Sequence, residues 1–188
     1  MPRRPRWRVR RLSSPTDARE VAAALDEARR LATGVFNYGP NGEEDHRRRQ
    51  LALPDPAAPV ASGIERRARA RLTRRGHRPG AAVMLYSAPG CREQALHTDY
   101  DARLVRRLAA IGVAVPVAVL VAIMPSTEII VGRERARVAI PAGSAFLFEG
   151  DLVHAGAAYD SENIRLHFYP VVDERLEVRD QTFLVLDE

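Results

Sequence analysis

AAVMLYSAPGCREQALHTDY, residues 81–100, is where the chain changes character. Upstream, apolar positions recur at helical spacing. From Ala81 onward they come in short runs broken by Pro, Gly, Ser and Asp, the pattern of strands and turns. Within the stretch, Ala82 to Ser87 reads as one strand, Ala88-Pro89-Gly90 as a turn, and Gln94 to Tyr100 as a second strand. His97 and Asp99 stand two apart on that second strand, so their side chains leave the same face. An imidazole and a carboxylate side by side on a strand make two-thirds of a metal site.

Further strands are predicted at Val115–Met124, Glu128–Gly132, Arg137–Ile140, Ser144–Glu149, Leu152–Ala155 and Asn163–Val171, with Thr182–Leu186 extending an edge. One helix interrupts them, Asp101 to Ile111, with Leu104, Leu108 and Ile111 on one face. Before residue 81, Asp17 and Glu20 form a reciprocal cap for a helix that ends near Thr33, ahead of Gly34. Residues 37–63 carry four prolines and Asn41-Gly42, which predicts irregular structure. A second helix runs from Ile64 to Arg75. Eight short strands behind a helical layer predict a mainly β fold with N-terminal helices, a cupin-like jelly roll or double-stranded β-helix. An immunoglobulin-type sandwich competes, but gives those helices no place.

With 188 residues, 46% of them hydrophobic, the chain can bury one core. The expected organisation is a basic, flexible arm over 1–16 and a single domain over 17–188. That domain divides into a helical layer (17–80), a jelly-roll core (81–171) and a C-terminal extension (172–188). The lone cysteine, Cys91, excludes an internal disulfide and fits a reducing compartment. The longest apolar run, Val113 to Met124, is broken by Pro116 and too short to span a bilayer as a helix, so no membrane span is expected.

All 29 basic residues are arginine and the net charge is +5. Six lie in residues 1–16 with no acid, and seven in 64–80 against Glu65 alone, so the remainder is acidic. The two segments can grip a phosphate backbone, with Trp7 stacking on a base, or they are a solvated arm and helix face. An intracellular, cytoplasmic location is expected. The N-terminus has no apolar stretch of a secretory signal, and its Arg and Ser content is compatible with organelle targeting.

A third metal ligand must come from a distant strand. His154, in Gly150-Asp151-Leu152-Val153-His154-Ala155-Gly156, follows a Gly-Asp turn and precedes small residues that leave room for an ion. His46 and His77 lie in polar, Arg-rich surroundings. Two imidazoles and one carboxylate are the facial set of non-haem Fe(II), which leaves three positions open. Eleven residues beyond His154 comes Arg165, on a strand otherwise apolar enough to enter the core. A buried guanidinium asks for an anion, and its planar fork matches a carboxylate. His167 shares that strand face and is expected behind the ligands or against a cosubstrate.

His97, Asp99, His154, Arg165 and His167, in that order, resemble the Fe(II)/2-oxoglutarate-dependent oxygenase superfamily. The resemblance covers about Ala81 to Val171. It implies Fe(II) on His97, Asp99 and His154, 2-oxoglutarate as cosubstrate with its distal carboxylate on Arg165, and O2 as oxidant. It further implies that Tyr86, in Leu85-Tyr86-Ser87-Ala88-Pro89-Gly90, hydrogen-bonds the cosubstrate, although a core tyrosine fits equally. His167 stands where serine or threonine is more usual. The products would be succinate, CO2 and a hydroxylated protein side chain or small molecule. The spacing to Arg165 looks more like prolyl-hydroxylase and phytanoyl-type members than AlkB-type nucleic-acid demethylases. A non-catalytic jelly-roll binding or structural subunit is the reading from another class.

Overall fold

The computed structural model describes residues 6–12, 17–35, 43–72, 78–113, 115–171 and 183–185. Its strands are β1 (Trp7–Arg11), β2 (Gly34–Val35), β3 (Arg48–Leu53), β4 (Arg78–Ser87), β5 (His97–Thr98), β6 (Val117–Ala122), β7 (Thr127–Val131), β8 (Ala136–Ile140), β9 (Ser144–Glu149), β10 (His154–Gly156), β11 (Asn163–Val171) and β12 (Phe183–Leu184). Three helices accompany them: α1 (Ala18–Leu31), α2 (Pro59–Leu72) and α3 (Ala102–Ala110). Two antiparallel sheets face each other, in the orders β1-β9-β6-β11-β4-β3-β2 and β12-β5-β10-β7-β8. From β4 to β11 successive strands change sheet at every step except the β7–β8 hairpin, in the manner of a double-stranded β-helix, so the mainly β fold with N-terminal helices is present.

Strand alternation divides the large sheet into two environments. On β11, Ile164, Leu166 and Phe168 are fully buried and join Met84, Val119 and Val121 in a core covered by α1 and α2. Arg165 and His167 leave the opposite face, towards the small sheet, where Leu85, Leu120, Ala122, Ile129, Phe146 and Phe148 form an inner core. Polar residues that share the inner face therefore converge inside the barrel.

Local chemistry explains where elements start. Asp17 accepts the Glu20 N–H at 2.8 Å, one half of the expected reciprocal cap, while the Glu20 carboxylate pairs with Arg67. α2 begins at Pro59 rather than Ile64. Its opening amides donate to the buried Glu27 of α1, Val60 N–H to Oε1 at 3.0 Å and Ala61 N–H to Oε2 at 2.8 Å. A carboxylate at a helix N-terminus satisfies orphan donors and complements the dipole, and here it comes from another helix. On α3 only Val105 is buried, and Ile111 is 73% exposed, so the expected Leu104–Leu108–Ile111 face is not a core face.

Two segments read as irregular are sheet. Arg48–Leu53, inside the 37–63 region, pairs with β4. Trp7–Arg11, inside the supposed flexible arm, pairs in register with β9. Trp7 stacks on Phe146 with ring centroids 5.2 Å apart and joins the inner core, so it is a packing residue rather than a base platform. Several arginines of the basic segments are engaged within the fold. Arg6 pairs with Glu149 and Asp151, Arg67 with Glu20, and Arg69 with Glu65. Residues 1–5, 13–16 and 73–77 of those segments, with His77, lie outside the described residues, as does most of 172–188. Among the described residues no helix is long and apolar enough to cross a membrane.

Arg48 on β3 is fully buried. It donates to the main-chain carbonyls of Arg92 (Nε, 2.8 Å), Ala157 (Nη2, 2.5 Å) and Gly156 (Nη2, 3.3 Å), tying the segment before β5 to the end of β10. Gly156 has no room for a side chain there, since a Cβ would lie 2.5 Å from Gln94 Oε1 and 3.0 Å from Arg48 Nη1. Burying carbonyls without donors costs about 1–3 kcal/mol each. Arg48→Met is therefore expected to destabilise the protein by about 3 kcal/mol or more, read from urea unfolding; a change within 1 kcal/mol would contradict this role.

Candidate metal centre

His97 on β5 and His154 on β10 are direct cross-strand partners, with ring centroids 4.4 Å apart. The Nδ1 of His97 lies 2.9 Å from the Ala95 carbonyl, and that of His154 lies 2.9 Å from the Leu152 carbonyl. A carbonyl only accepts, so each Nδ1 carries the proton and each Nε2 presents a lone pair inward. Asp99 is set by its main chain. The N–H groups of Asp99 and Tyr100 both donate to the Gly150 carbonyl at 3.0 Å. Gly150 is needed there, because a Cβ would meet the Tyr100 ring at 2.3 Å. The Nε2 atoms of His154 and His97 lie 3.6 and 4.0 Å from Asp99 Oδ1. One ligand atom from each of the three buried residues lies within 4.8 Å of the others.

The donor set fits a small divalent cation on its own chemistry. Asp99 is a buried carboxylate whose charged partners within 4.0 Å among the described residues are the imidazoles of His97, His154 and His167, a costly condition unless a cation joins it. Two imidazole nitrogens and one carboxylate oxygen suit Fe(II) and the neighbouring transition metals. Phe148 packs edge-on against His154 at 4.7 Å and keeps that side of the site apolar.

Burial, reinforced by the neighbouring His154, pushes the His97 imidazole down to about 4, and Asp99 offsets only part of this. Burial pushes the Asp99 carboxyl up, but the imidazoles of His154, His167 and His97 outweigh it and hold the acid well below its usual range. The site therefore keeps a neutral His97 beside an ionised Asp99. Unfolded, His97 protonates near 6.5; folded, only near 4. As pH falls from 6.5 to 4 the unfolded chain binds the proton and the native protein does not, so His97 removes stability progressively over that window. Metal-free protein is expected to lose stability in denaturant titrations between pH 6.5 and 4 more steeply than a His97→Phe variant. Parallel losses would refute the assignment.

Arg165 sits on β11 at 2% exposure. Its Nη1 donates to Ser87 Oγ at 3.0 Å and to Asn163 Oδ1 at 3.5 Å, and its guanidinium lies 5.3 Å from the centre of the Tyr159 ring. Tyr159 is pinned through its hydroxyl, which donates to the Glu128 carbonyl at 3.0 Å and accepts from the Glu128 N–H at 3.2 Å. His167 follows on the same face, its Nε2 3.7 Å from Asp99 Oδ2. The inner face of β11 thus runs from a buried guanidinium to the carboxylate of the triad.

Tyr86 does not join them. In the β4–β11 register Leu85 stands opposite Arg165, and Tyr86 stands opposite Ile164 on the helix-covered face. Its hydroxyl donates to Glu162 Oε1 at 2.8 Å, and Glu162 is held in turn by Arg29 of α1. Tyr86 is a helix-side residue, because a strand alternates faces at every position. Ser87, Asn163 and Tyr159 around Arg165, and Tyr100 and Phe148 around the triad, were not singled out from sequence. For Ser87 and Asn163 a signal existed, since Asn163 is two residues from Arg165 on one strand and Ser87 is its cross-strand partner.

No family model matches the chain, and no curated protein matches it in sequence. Solved structures do match. A prolyl hydroxylase from Trichoplax adhaerens, in complex with a hypoxia inducible factor oxygen degradation domain peptide fragment, superposes with TM-score 0.57 at 11% identity, over 88% of this chain and 84% of that one. A Pseudomonas putida prolyl-4-hydroxylase gives 0.57 at 13% identity over 89% and 94%. HygX from Streptomyces hygroscopicus, with nickel and 2-oxoglutarate bound, gives 0.54 at 17% identity over 97% and 92%. This chain has the fold of the Fe(II)/2-oxoglutarate-dependent oxygenases. At these identities the oxygenase fold is what is shared, and the placement of the triad and of Arg165 rests on the chain's own geometry.

Proposed function

We propose that this protein is an Fe(II)- and 2-oxoglutarate-dependent dioxygenase that hydroxylates a protein side chain or a small molecule. The supporting observation is that His97, Asp99 and His154 converge inside an oxygenase-fold barrel whose facing sheet carries the buried Arg165 on its inner side. His97 and His154 would hold the iron through Nε2 and Asp99 through a carboxylate oxygen. Arg165 would receive the distal carboxylate of 2-oxoglutarate, with Ser87 and Asn163 fixing its fork. With iron, 2-oxoglutarate and O2 bound, the chemistry supplied is oxidative decarboxylation to succinate and CO2, with one oxygen atom passing to a substrate C–H bond.

The chain's own part is binding and orientation. The carbonyls of Ala95 and Leu152 lock both imidazoles in the metal-binding tautomer. The inner core of Phe146, Phe148, Leu120 and Leu85 excludes water from the barrel. A peptide-bound neighbour among the prolyl hydroxylases favours a protein side chain as the first substrate class to test. Anaerobic addition of Fe(II) and then 2-oxoglutarate should produce the weak visible charge-transfer band of the chelate, absent in His97→Ala. Succinate release screened against peptides and small acids then finds the substrate class. No band and no succinate would overturn the proposal and leave a non-catalytic jelly-roll module.

A further inference from the structure

We propose that His167 is a positioning residue for the metal centre, donating from Nε2 to one oxygen of Asp99 so that the other alone serves the ion. The inference rests on the metal-binding reading above and gives His167 a partner other than the cosubstrate.

The two oxygens of Asp99 keep different company. Oδ1 faces the ligand nitrogens, 3.6 Å from His154 Nε2 and 4.0 Å from His97 Nε2. Oδ2 lies 3.7 Å from His167 Nε2 and is the buried oxygen without a hydrogen bond among the described residues. That gap exceeds an N–H···O bond by about half an ångström, which a small rotation of either side chain closes. His167 is well placed to wait there. Its strand is in register with β6 and β4 on either side, with Leu120 and Val83 as its cross-strand partners. Its ring packs edge-on against Tyr169 at 4.8 Å, and Tyr169 packs edge-on against Tyr100 at 5.8 Å.

The chemical consequence concerns how many coordination positions remain. A carboxylate free to rotate can chelate through both oxygens and occupy a fourth position. Held through Oδ2, it offers one oxygen, and the facial set keeps three positions for a bidentate cosubstrate and an oxidant. Outer groups that orient a metal ligand in this way typically contribute about 10- to 100-fold in metal affinity.

The test uses the full chain and Co(II) alone as probe, with affinity read by calorimetry and by the visible Co(II) spectrum. His167→Leu is expected to weaken Co(II) binding by about 10- to 100-fold. His167→Gln, whose amide N–H still donates, is expected to recover most of that loss. At saturating Co(II), 2-oxoglutarate affinity stays unchanged in the glutamine variant and falls in the leucine variant only alongside Co(II) affinity, because a chelating Asp99 takes a position the cosubstrate needs. Near-UV circular dichroism confirms folding. Should the leucine variant not fold, His167→Asn, polar but too short to reach Oδ2, takes its place. Unchanged Co(II) affinity with weakened 2-oxoglutarate binding would overturn the proposal by assigning His167 to the cosubstrate. Equal losses in the leucine and glutamine variants would overturn it by making His167 a direct ligand. Failure of the unvaried chain to bind Co(II) would instead remove the metal-binding reading itself, a result distinct from either.

Discussion

Asp99→Asn is expected to abolish metal binding and 2-oxoglutarate turnover together, each by roughly a thousandfold or more. The carboxamide keeps the shape of the side chain and leaves the main-chain bonds to Gly150 in place, so the change is one of charge. Without it, a divalent ion meets two neutral imidazoles and a weak amide oxygen. A metal ion's charge stabilisation is worth several kcal/mol, and each 1.36 kcal/mol is a factor of ten in rate. Three orders of magnitude therefore needs about 4 kcal/mol, a modest share for the only anion in the triad. Calorimetry with Mn(II) or Co(II) and succinate release under saturating 2-oxoglutarate measure the two losses. Metal affinity within tenfold of the unvaried chain would show that Asp99 is not a ligand.

That residue is legible in the sequence because its signal is local. His97 and Asp99 share a strand face by periodicity alone, and Asp17 announces α1 by the same kind of short-range rule. Harder features depend on partners far away in sequence. α2 starts at Pro59 because Glu27, on a different helix, caps it, and nothing near residue 59 encodes that contact. β1 and β3 are rich in arginine, and β1 lies at a sheet edge with four of its five residues exposed, so their composition imitates a solvated segment. The motif around Tyr86 leaves two readings open, a cosubstrate contact or a core tyrosine. Counting by twos across the β4–β11 pair places it with Ile164, away from Arg165.

The buried-arginine rule was only half sufficient, as Arg48 makes plain. Arg48 and Arg165 are both fully buried, and burial together with repulsion from Arg165 pushes the Arg48 guanidinium down to about 10. Arg48 nonetheless bonds main-chain carbonyls and acts as a structural tie. A sequence shows that an arginine lies in an apolar strand. It does not show whether carbonyls or a ligand will meet it.

Arg165→Met is where this difference becomes measurable. Its bonds to Ser87 and Asn163 go to side chains that hold the fork in place, and Asn163 has a further bond of its own to Thr127 at 3.0 Å. Truncation therefore leaves no main-chain carbonyl stranded by those two bonds, and the variant is expected to fold and to bind metal with unchanged affinity. Cosubstrate binding should behave otherwise. Removing one partner of a buried, hydrogen-bonded charge pair costs about 2–5 kcal/mol, so 2-oxoglutarate affinity should fall roughly 30- to several-thousandfold, read from the anaerobic charge-transfer titration. Arg165→Lys should fall between, since an ammonium restores the charge but not the bidentate fork. Metal affinity lost along with 2-oxoglutarate affinity would make Arg165 a second structural tie like Arg48. Both retained would remove the cosubstrate anchor. Only the split outcome, metal kept and dicarboxylate lost, identifies the triad and Arg165 as one site with two ligands.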